Sequence, residues 1–173
     1  MKLVNSLLNF IIYVALAPLV LVSLYVIYDS CKVSKSAAID ASLVSLVNQD
    51  GDEVFDALEE ESEYTIAWLR IEGTNINYPV VQGKDNAWFL NRNYRGEFAT
   101  AGSLFLDYRN EDDFSDAFSI IYGHRMGNGE MFSDIQKFKN DDFFSGHKRG
   151  ILKQRGDSYE LEISAYAEVN SKD

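Results

Sequence analysis

Hydrophobic positions along the chain form three successive patterns. Residues 10–28 read FIIYVALAPLVLVSLYVIY, a run with one serine and no charge. Residues 32–63 place apolar side chains near helical spacing among many polar ones, which is typical of exposed helices. Residues 64–173 alternate apolar and polar positions in short runs rich in β-branched and aromatic residues, which is typical of strands. The patterns therefore predict residues 1–31 as an N-terminal tip with a transmembrane anchor, residues 32–63 as an exposed helical stalk, and residues 64–173 as a mainly β domain.

The apolar run has the length of a transmembrane helix, because 19 residues in an α-helix cover about 28 Å. Tyr25 and Tyr28 suit the membrane interface, and Pro18 predicts a kink. A cleaved signal peptide is the alternative, since Ala15-Leu16-Ala17 resembles a cleavage site. Pro18 directly after that site, followed by a further apolar run, favours an uncleaved anchor. Lysines flank both sides of the run, so their number does not set its orientation.

The third pattern predicts a β-barrel or open sheet with short helices in its crossovers. Pro79 indicates that the second strand lies at an edge or carries a bulge, because proline lacks a backbone donor. The strands are expected at residues 64–71, 76–82, 102–108, 118–123, 149–154 and 158–169. Short helical segments are expected at residues 85–94, 129–138 and 141–147.

Composition narrows the classes of partner. The formal net charge is −11 and the isoelectric point is near 4.6, which argues against nucleic acid, because phosphate binding depends on basic surfaces. The sequence contains a single cysteine, Cys31, so no disulfide forms within the chain. Cys31 borders the apolar run; lipidation is one interpretation, and a cysteine without a special role is the favoured one.

Three polar features carry side chains of the kinds that bind metals or transfer protons. The acidic stretch DYRNEDDFSD, residues 107–116, lacks the glycine and the glutamate of a calcium loop and is interpreted as a solvated turn. Residues 59–61, three consecutive glutamates, are interpreted as a solvated helix face. His124 follows a predicted strand, where loops build active sites, and imidazole suits proton transfer near neutral pH. A structural histidine is the alternative for His124, and His147 is expected to be an exposed residue of that kind.

An ordered series of motifs resembles the class B sortases, with the pieces in family order and at family spacing. An N-terminal anchor and a helical stalk are also typical of that family. The matching stretches are WLRIEGTNINYPVVQ, DNAWFLNRNY, AGSLFLDYRN, IIYGHRMGNGEMFSDIQKF, DDFFSGHKRG and YELEISAY.

The resemblance implies a membrane-anchored cysteine transpeptidase on the extracellular face of a Gram-positive cell, so that the tip of residues 1–31 is cytoplasmic. Such an enzyme cleaves a C-terminal sorting signal of secreted proteins and attaches them, through an acyl-enzyme, to an amine of a peptidoglycan precursor. By the YGH motif, His124 matches the family's catalytic histidine, which protonates the leaving amine and deprotonates the incoming one. No cofactor or metal is implied.

The resemblance also implies two groups that the 173 residues do not contain. Family members place the nucleophilic cysteine in a TLxTC strand well beyond the position of Tyr166, and an arginine on the following strand. Cys31 does not match that motif. We therefore expect a truncated sortase-like barrel without its C-terminal strands and without transpeptidation by this chain alone. The alternatives are a non-catalytic anchored module that binds sorting peptides or cell-wall partners, and an anchored structural domain unrelated to sorting.

Overall fold

The computed structural model describes residues 2–37, 43–44, 53–127 and 129–170, and its contacts divide the chain into two units, Met1–Lys35 and Ser36–Asp173. The helices are α1 (Lys2–Ala37), α2 (Glu53–Glu61), the 3₁₀ helix η1 (Phe132–Lys139) and α3 (Asp141–Gly146). The strands are β1 (Thr65–Ile71), β2 (Asn77–Gln82), β3 (Leu104–Leu106), β4 (Ile121–Tyr122), β5 (Arg149–Gln154) and β6 (Asp157–Glu162).

Helix α1 contains the predicted apolar segment. Residues Asn9–Tyr28 have a mean hydropathy of 2.6 and are long and apolar enough, by length and composition, to cross a membrane. The helix is continuous through Pro18, and the Ser23 hydroxyl donates to the carbonyl of Leu19 at 2.8 Å. The side chains of residues 10–28 are exposed, as expected for a helix that meets lipid.

The second unit is built on a six-stranded mixed sheet in the order β4-β3-β2-β1-β5-β6. Strands β2 and β3 are parallel, with Val81 beside Phe105, and the other neighbouring pairs are antiparallel. The predicted mainly β fold with short helices is thereby confirmed. Among the described residues, β4 and β6 form the two ends of the sheet.

The edge position expected for Pro79 is wrong, because β2 lies inside the sheet between β1 and β3. Pro79 lies opposite Trp68 of β1, whereas pairing with β3 begins only at Val80. A proline just before the parallel ladder begins is tolerated, since its missing N–H lies outside that pairing. The irregularity of this strand pair falls on β1 instead, between Thr65 and Ala67.

Both faces of the sheet are buried at its central strands β1, β2 and β3, and successive residues of each of these strands point to opposite faces. Leu104 and Leu106 join one core cluster, whereas Phe105 joins the other. Residues around η1, including Met131 and Ile135, cover the face that carries Leu104 and Leu106. The opposite face, which carries Phe105, is covered by α2 and by aromatic residues that follow β2. Burial on both faces explains why these strands are continuous apolar runs.

Helix α2 departs from the exposed stalk that we expected. Phe55 and Leu58, one helical turn apart, are buried in a core cluster with Trp68. The acidic face of the helix remains at the surface, where Glu60 is exposed. Residues 53–61 therefore pack into the folded unit, while most of the remaining stalk prediction, residues 32–52, lies outside the described residues or in the end of α1.

Several elements are shorter or tighter than predicted. Strands β3 and β4 have three and two residues, and the helix expected from residue 129 is the 3₁₀ helix η1. The last strand, expected to reach residue 169, ends at Glu162. It ends there because its partner β5 begins at Arg149; one further bond joins the Ile163 N–H to the Lys148 carbonyl at 2.8 Å.

Candidate functional site

His124 lies two residues beyond β4, as the sequence predicts, and tight packing at Gly123 sets the direction in which the chain leaves the strand. A Cβ at Gly123 would lie 2.4 Å from a methyl of Leu104 and 2.7 Å from the Phe132 ring. The carbonyl of His124 accepts from the Phe132 N–H at 3.0 Å, and Arg125 bridges to Met131. The loop that carries the imidazole is thus closed against the start of η1.

The imidazole of His124 is half-buried, and its Nε2 lies 2.7 Å from the carbonyl oxygen of Leu90. A proton on Nε2 would be donated to this carbonyl and would leave the Nδ1 lone pair available for proton transfer. Gly102, with φ of +63°, lies beneath the ring. A Cβ there would approach the carbonyl oxygens of Leu90 and Phe89 to 2.7 Å and Cδ2 of His124 to 3.0 Å.

A cavity of about 320 Å³ opens beside the imidazole. Its lining combines apolar groups with three polar side chains, which is typical of a site that orients a small ligand group. The lining residues are Asn86, Leu90, Phe105, Tyr122, Gly123 and His124. They come from the segment after β2, from β3, and from β4 with its exit loop, so the sheet order brings the cavity together.

Asp107, directly after β3, is a buried carboxylate next to this cavity, with 1% of its surface exposed. Oδ2 accepts from Asn86 Nδ2 at 2.9 Å and from the Tyr122 hydroxyl at 3.0 Å. Arg109 donates from its backbone N–H and Nε to Oδ1, each at 2.9 Å, and from a terminal nitrogen to Oδ2 at 2.8 Å.

These bonds perturb the ionisation of all three charged or phenolic groups. The bonds from Arg109 hold the pKa of Asp107 well below its usual range, because each of them favours the ionised carboxylate. The carboxylate in turn raises the pKa of the Arg109 guanidinium. The hydrogen bond to Asp107 also raises the pKa of the Tyr122 phenol, so the phenol stays protonated at neutral pH.

The solvated turn expected for residues 107–116 is wrong at its first residue, since Asp107 is buried. The rest of that stretch is mainly exposed. Asp107, Asn86 and Tyr122 were missed as residues of the site. A signal was present in the order LFLDYR, where a carboxylate ends an apolar strand two residues before an arginine; such a pair can be buried together.

The other polar candidates are not among the residues that line the cavity. His147 is half-buried rather than exposed: its ring stacks on Phe143 at 4.2 Å, and Nδ1 lies 3.0 Å from the Phe143 carbonyl. Glu61 is paired rather than merely solvated, because its carboxylate accepts from the Tyr94 hydroxyl at 2.6 Å and from Arg95. Cys31 is an exposed free cysteine in α1. Within the described ranges, no group of three or more His, Cys, Asp or Glu side chains is arranged to hold a metal ion.

No protein-family model matches the sequence, but individual relatives do. The chain is 39% identical over 132 residues to sortase B of Listeria monocytogenes, covering 76% of this chain and 53% of the relative. It is 32% identical over 119 residues to sortase B of Staphylococcus aureus, covering 69% and 49%. The chain therefore spans about half the length of the curated relatives it matches.

Solved structures agree with these relatives. A class B sortase of Streptococcus pyogenes involved in pilus biogenesis superposes with a TM-score of 0.63 at 36% identity, covering 68% of this chain and 66% of that one. Sortase B of Bacillus anthracis, solved in complex with AAEK1, gives a TM-score of 0.61 at 36% identity, covering 69% and 60%.

The sequence identities and the superpositions together show a protein of the sortase class. More narrowly, the chain belongs to the class B sortase family.

Proposed function

We propose that the chain supplies the acid–base part of a cysteine transpeptidase that cleaves a C-terminal sorting signal and attaches the secreted protein to peptidoglycan. The observation that carries this proposal is the position of His124 at the exit of β4, where its imidazole borders a cavity large enough for a small side chain or a peptide group. Membership of the class B sortase family supplies the class of reaction.

In the proposed reaction, a thiolate attacks the backbone carbonyl within the sorting signal and forms a thioester. The imidazolium of His124 gives its proton to the departing amine, and the neutral imidazole then takes a proton from the incoming amine as that amine displaces the thiolate. No described residue around His124 carries a thiol, and Cys31 belongs to the other unit. His124 is therefore assigned the proton transfers alone.

Helix α1 supports the proposed membrane location, and the proposed extracellular orientation rests on membership of the class B sortase family. A helix of this length and hydropathy would hold the enzyme at the membrane of a Gram-positive cell, with residues 64–173 on the extracellular face as part of the catalytic domain. The packing of α2 supports including residues 53–61 in that domain. The proposed partners are sorting-signal-bearing secreted proteins, the amine of a peptidoglycan precursor, and the membrane.

The proposal predicts that His124→Ala lowers transpeptidation at least about 100-fold, since general acid–base catalysis contributes roughly 10² to 10⁴. The assay uses the complete gene product in membranes, a peptide carrying a sorting signal and an amine acceptor, with the ligated product measured by mass spectrometry. His147→Ala is the matched control, because this second histidine does not line the cavity; we expect its rate within twofold of the parent.

Two results would contradict the assignment. Equal loss of activity in both histidine variants would indicate a general effect on folding. Capture of the peptide without cleavage by the unmodified protein would instead support a non-catalytic module that binds sorting peptides.

A further inference from the structure

Asp107 is a buried carboxylate that the proposed proton transfers do not use. A charge with 1% of its surface exposed is costly unless it is paired and hydrogen-bonded. Arg109 provides that compensation with three N–H donors. The guanidinium itself is mainly exposed, with 65% of its side-chain surface in contact with solvent. The ion pair therefore keeps the Asp107 carboxylate ionised beneath the surface, next to the cavity.

Both remaining donors to Asp107 come from side chains that line the cavity. The Asn86 carboxamide is held at each end: Nδ2 donates to Asp107, and Oδ1 accepts from the Tyr108 N–H at 3.0 Å. This pattern determines which end of the amide is which and directs one Nδ2–H to Asp107, while Nδ2 carries a second N–H. The Tyr122 hydroxyl gives its proton to Asp107, so its oxygen keeps lone pairs to accept a bond.

A peptide group carries one N–H donor and one carbonyl acceptor. An Asn86 N–H and a Tyr122 oxygen, both from residues that line the cavity, complement those two functions. Without the carboxylate, the phenol would be free to rotate its proton toward the cavity, and the carboxamide would lose the partner of its nitrogen end. The hydrogen-bonding character of the cavity thus depends on a residue that is not part of its lining.

Resting on the proposed function, we infer that Asp107 is a positioning residue of this site. Its carboxylate, secured by Arg109, orients the Asn86 amide and the Tyr122 hydroxyl so that together they bind a peptide group of the substrate beside His124. A purely structural role, in which the ion pair holds only the turn at residues 107–110, makes a different prediction. In that case, disrupting the pair would change stability without changing the affinity for a peptide.

The test uses the full 173-residue chain in detergent micelles, with NMR of the tyrosine Cζ carbons and of the Asn86 side-chain amide. The Tyr122→Phe variant assigns the phenol signal. We expect Asp107→Asn to lower the pKa of Tyr122 toward the ordinary value, because a neighbouring negative charge is removed. Arg109→Gln leaves the carboxylate in place without its cation, so we expect that variant to raise the pKa of Tyr122 further.

Peptide binding is measured on the same samples with N-acetyl-trialanine N-methylamide, an extended backbone without polar side chains, by the shifts of the Asn86 amide and of the His124 ring. We expect Asp107→Asn to raise the dissociation constant of the peptide at least fivefold, and Arg109→Gln to raise it by a smaller factor. Asp134→Asn is the matched control. Asp134 is likewise buried and paired, at 2.8 Å to Lys137 and to the Asn75 N–H, but it does not line the cavity. The dissociation constant of the Asp134→Asn variant should stay within twofold of the parent's.

The outcomes separate this inference from the proposed function. Binding to the parent chain that is unchanged in Asp107→Asn would overturn the positioning role alone, as would an unchanged Tyr122 titration. Equal weakening in Asp134→Asn would assign the effect to general destabilisation and would also overturn it. No binding to the parent chain would count against the peptide-binding function, and the inference would fail with it. Should Asp107→Asn not melt cooperatively, the Arg109→Gln variant replaces it. An unchanged Tyr122 titration and unchanged peptide binding in that variant would overturn the positioning role.

Discussion

Gly123 illustrates how one missing side chain places the imidazole. The backbone of this residue lies against Leu104 on one side and the Phe132 ring on the other, and a methyl group would overlap both. Its neighbour in the same loop, Gly127, has no heavy atom within 4 Å of the corresponding position. Two glycines a few residues apart thus have different surroundings. Gly123 is closely packed, whereas Gly127 lies at an open surface.

We therefore predict that Gly123→Ala destabilises the folded unit by about 1–3 kcal/mol, the usual cost of forcing a methyl group into a packed site. The urea midpoint of the full chain in micelles measures this effect. Gly127→Ala should change the free energy of unfolding by less than about 0.5 kcal/mol. Equal midpoints for the two variants would contradict the packing argument.

Asp107 makes the stability of the fold depend on pH in the acid range. Its folded pKa lies well below the usual range because Arg109 stabilises the carboxylate, whereas in the unfolded chain the pKa is about 4. The stabilisation is therefore fully present above about pH 4 and is lost as the pH falls below that value toward the folded pKa.

We expect Asp107→Asn to flatten the acid limb of the stability profile. The free energy of unfolding of the parent should fall between about pH 4 and pH 2, and the difference between parent and variant should shrink in the same interval. Urea unfolding at a series of pH values measures both curves. Parallel curves across the acid range would show that Asp107 is not the group that titrates.

Among the helices and strands, η1 shows how spacing can be misread. Phe132, Ile135 and Phe138 recur at intervals of three residues and face the interior to different degrees. An interval of three belongs to an α-helical pattern but is the exact repeat of a 3₁₀ helix, in which residues i and i+3 lie above one another. The pattern therefore predicts a helix but leaves its type to the packing.

Helix α2 contributes more to the fold than its acidic sequence indicates. Leu58 is fully buried between the sheet and aromatic side chains. Truncating a buried leucine removes apolar contacts and leaves a cavity.

We predict that Leu58→Ala lowers the free energy of unfolding by about 2–5 kcal/mol, measured by urea unfolding. Glu60→Ala, on the exposed face of the same helix, should change it by less than about 0.5 kcal/mol. A helix that served only as an exposed stalk would give two similarly small values.

At the scale of the whole molecule, the apolar stretch Asn9–Tyr28 of α1 differs sharply in composition from the acidic remainder of the chain. A charged side chain near the centre of a membrane-spanning helix costs about 3 kcal/mol on insertion. Leu21 and Val22 lie near the middle of the apolar stretch Asn9–Tyr28.

We expect the double substitution Leu21→Arg and Val22→Arg to release most of the chain from membranes into the supernatant on alkaline extraction. Asn5→Arg adds a positive charge before the apolar stretch and should leave the distribution unchanged. Retention of the double variant in the membrane fraction would argue against anchoring by this helix.

Much of the fold was predictable because its signals are local. The apolar run, the alternating strands and the histidine after IIYG depend on the chemistry of neighbouring residues, and each lies within a few residues of its predicted position. The edge position of Pro79 was wrong because strand order depends on partners that the proline itself does not reveal. The burial of Phe55 and Leu58 was missed because two apolar residues among carboxylates give only a weak periodic signal.

The sequence alone was sufficient for the kinds of element, for the apolar N-terminal helix and for the family resemblance, because these follow from short-range periodicity and ordered motifs. Only the folded chain decided which residues surround His124. Asn86, Tyr122 and Asp107 come from three separate segments, and they meet because β2 and β3 pair in parallel while β4 returns beside β3. Such contacts depend on long-range pairing and on the burial of a charge with its partner, neither of which is encoded in the spacing of neighbouring residues.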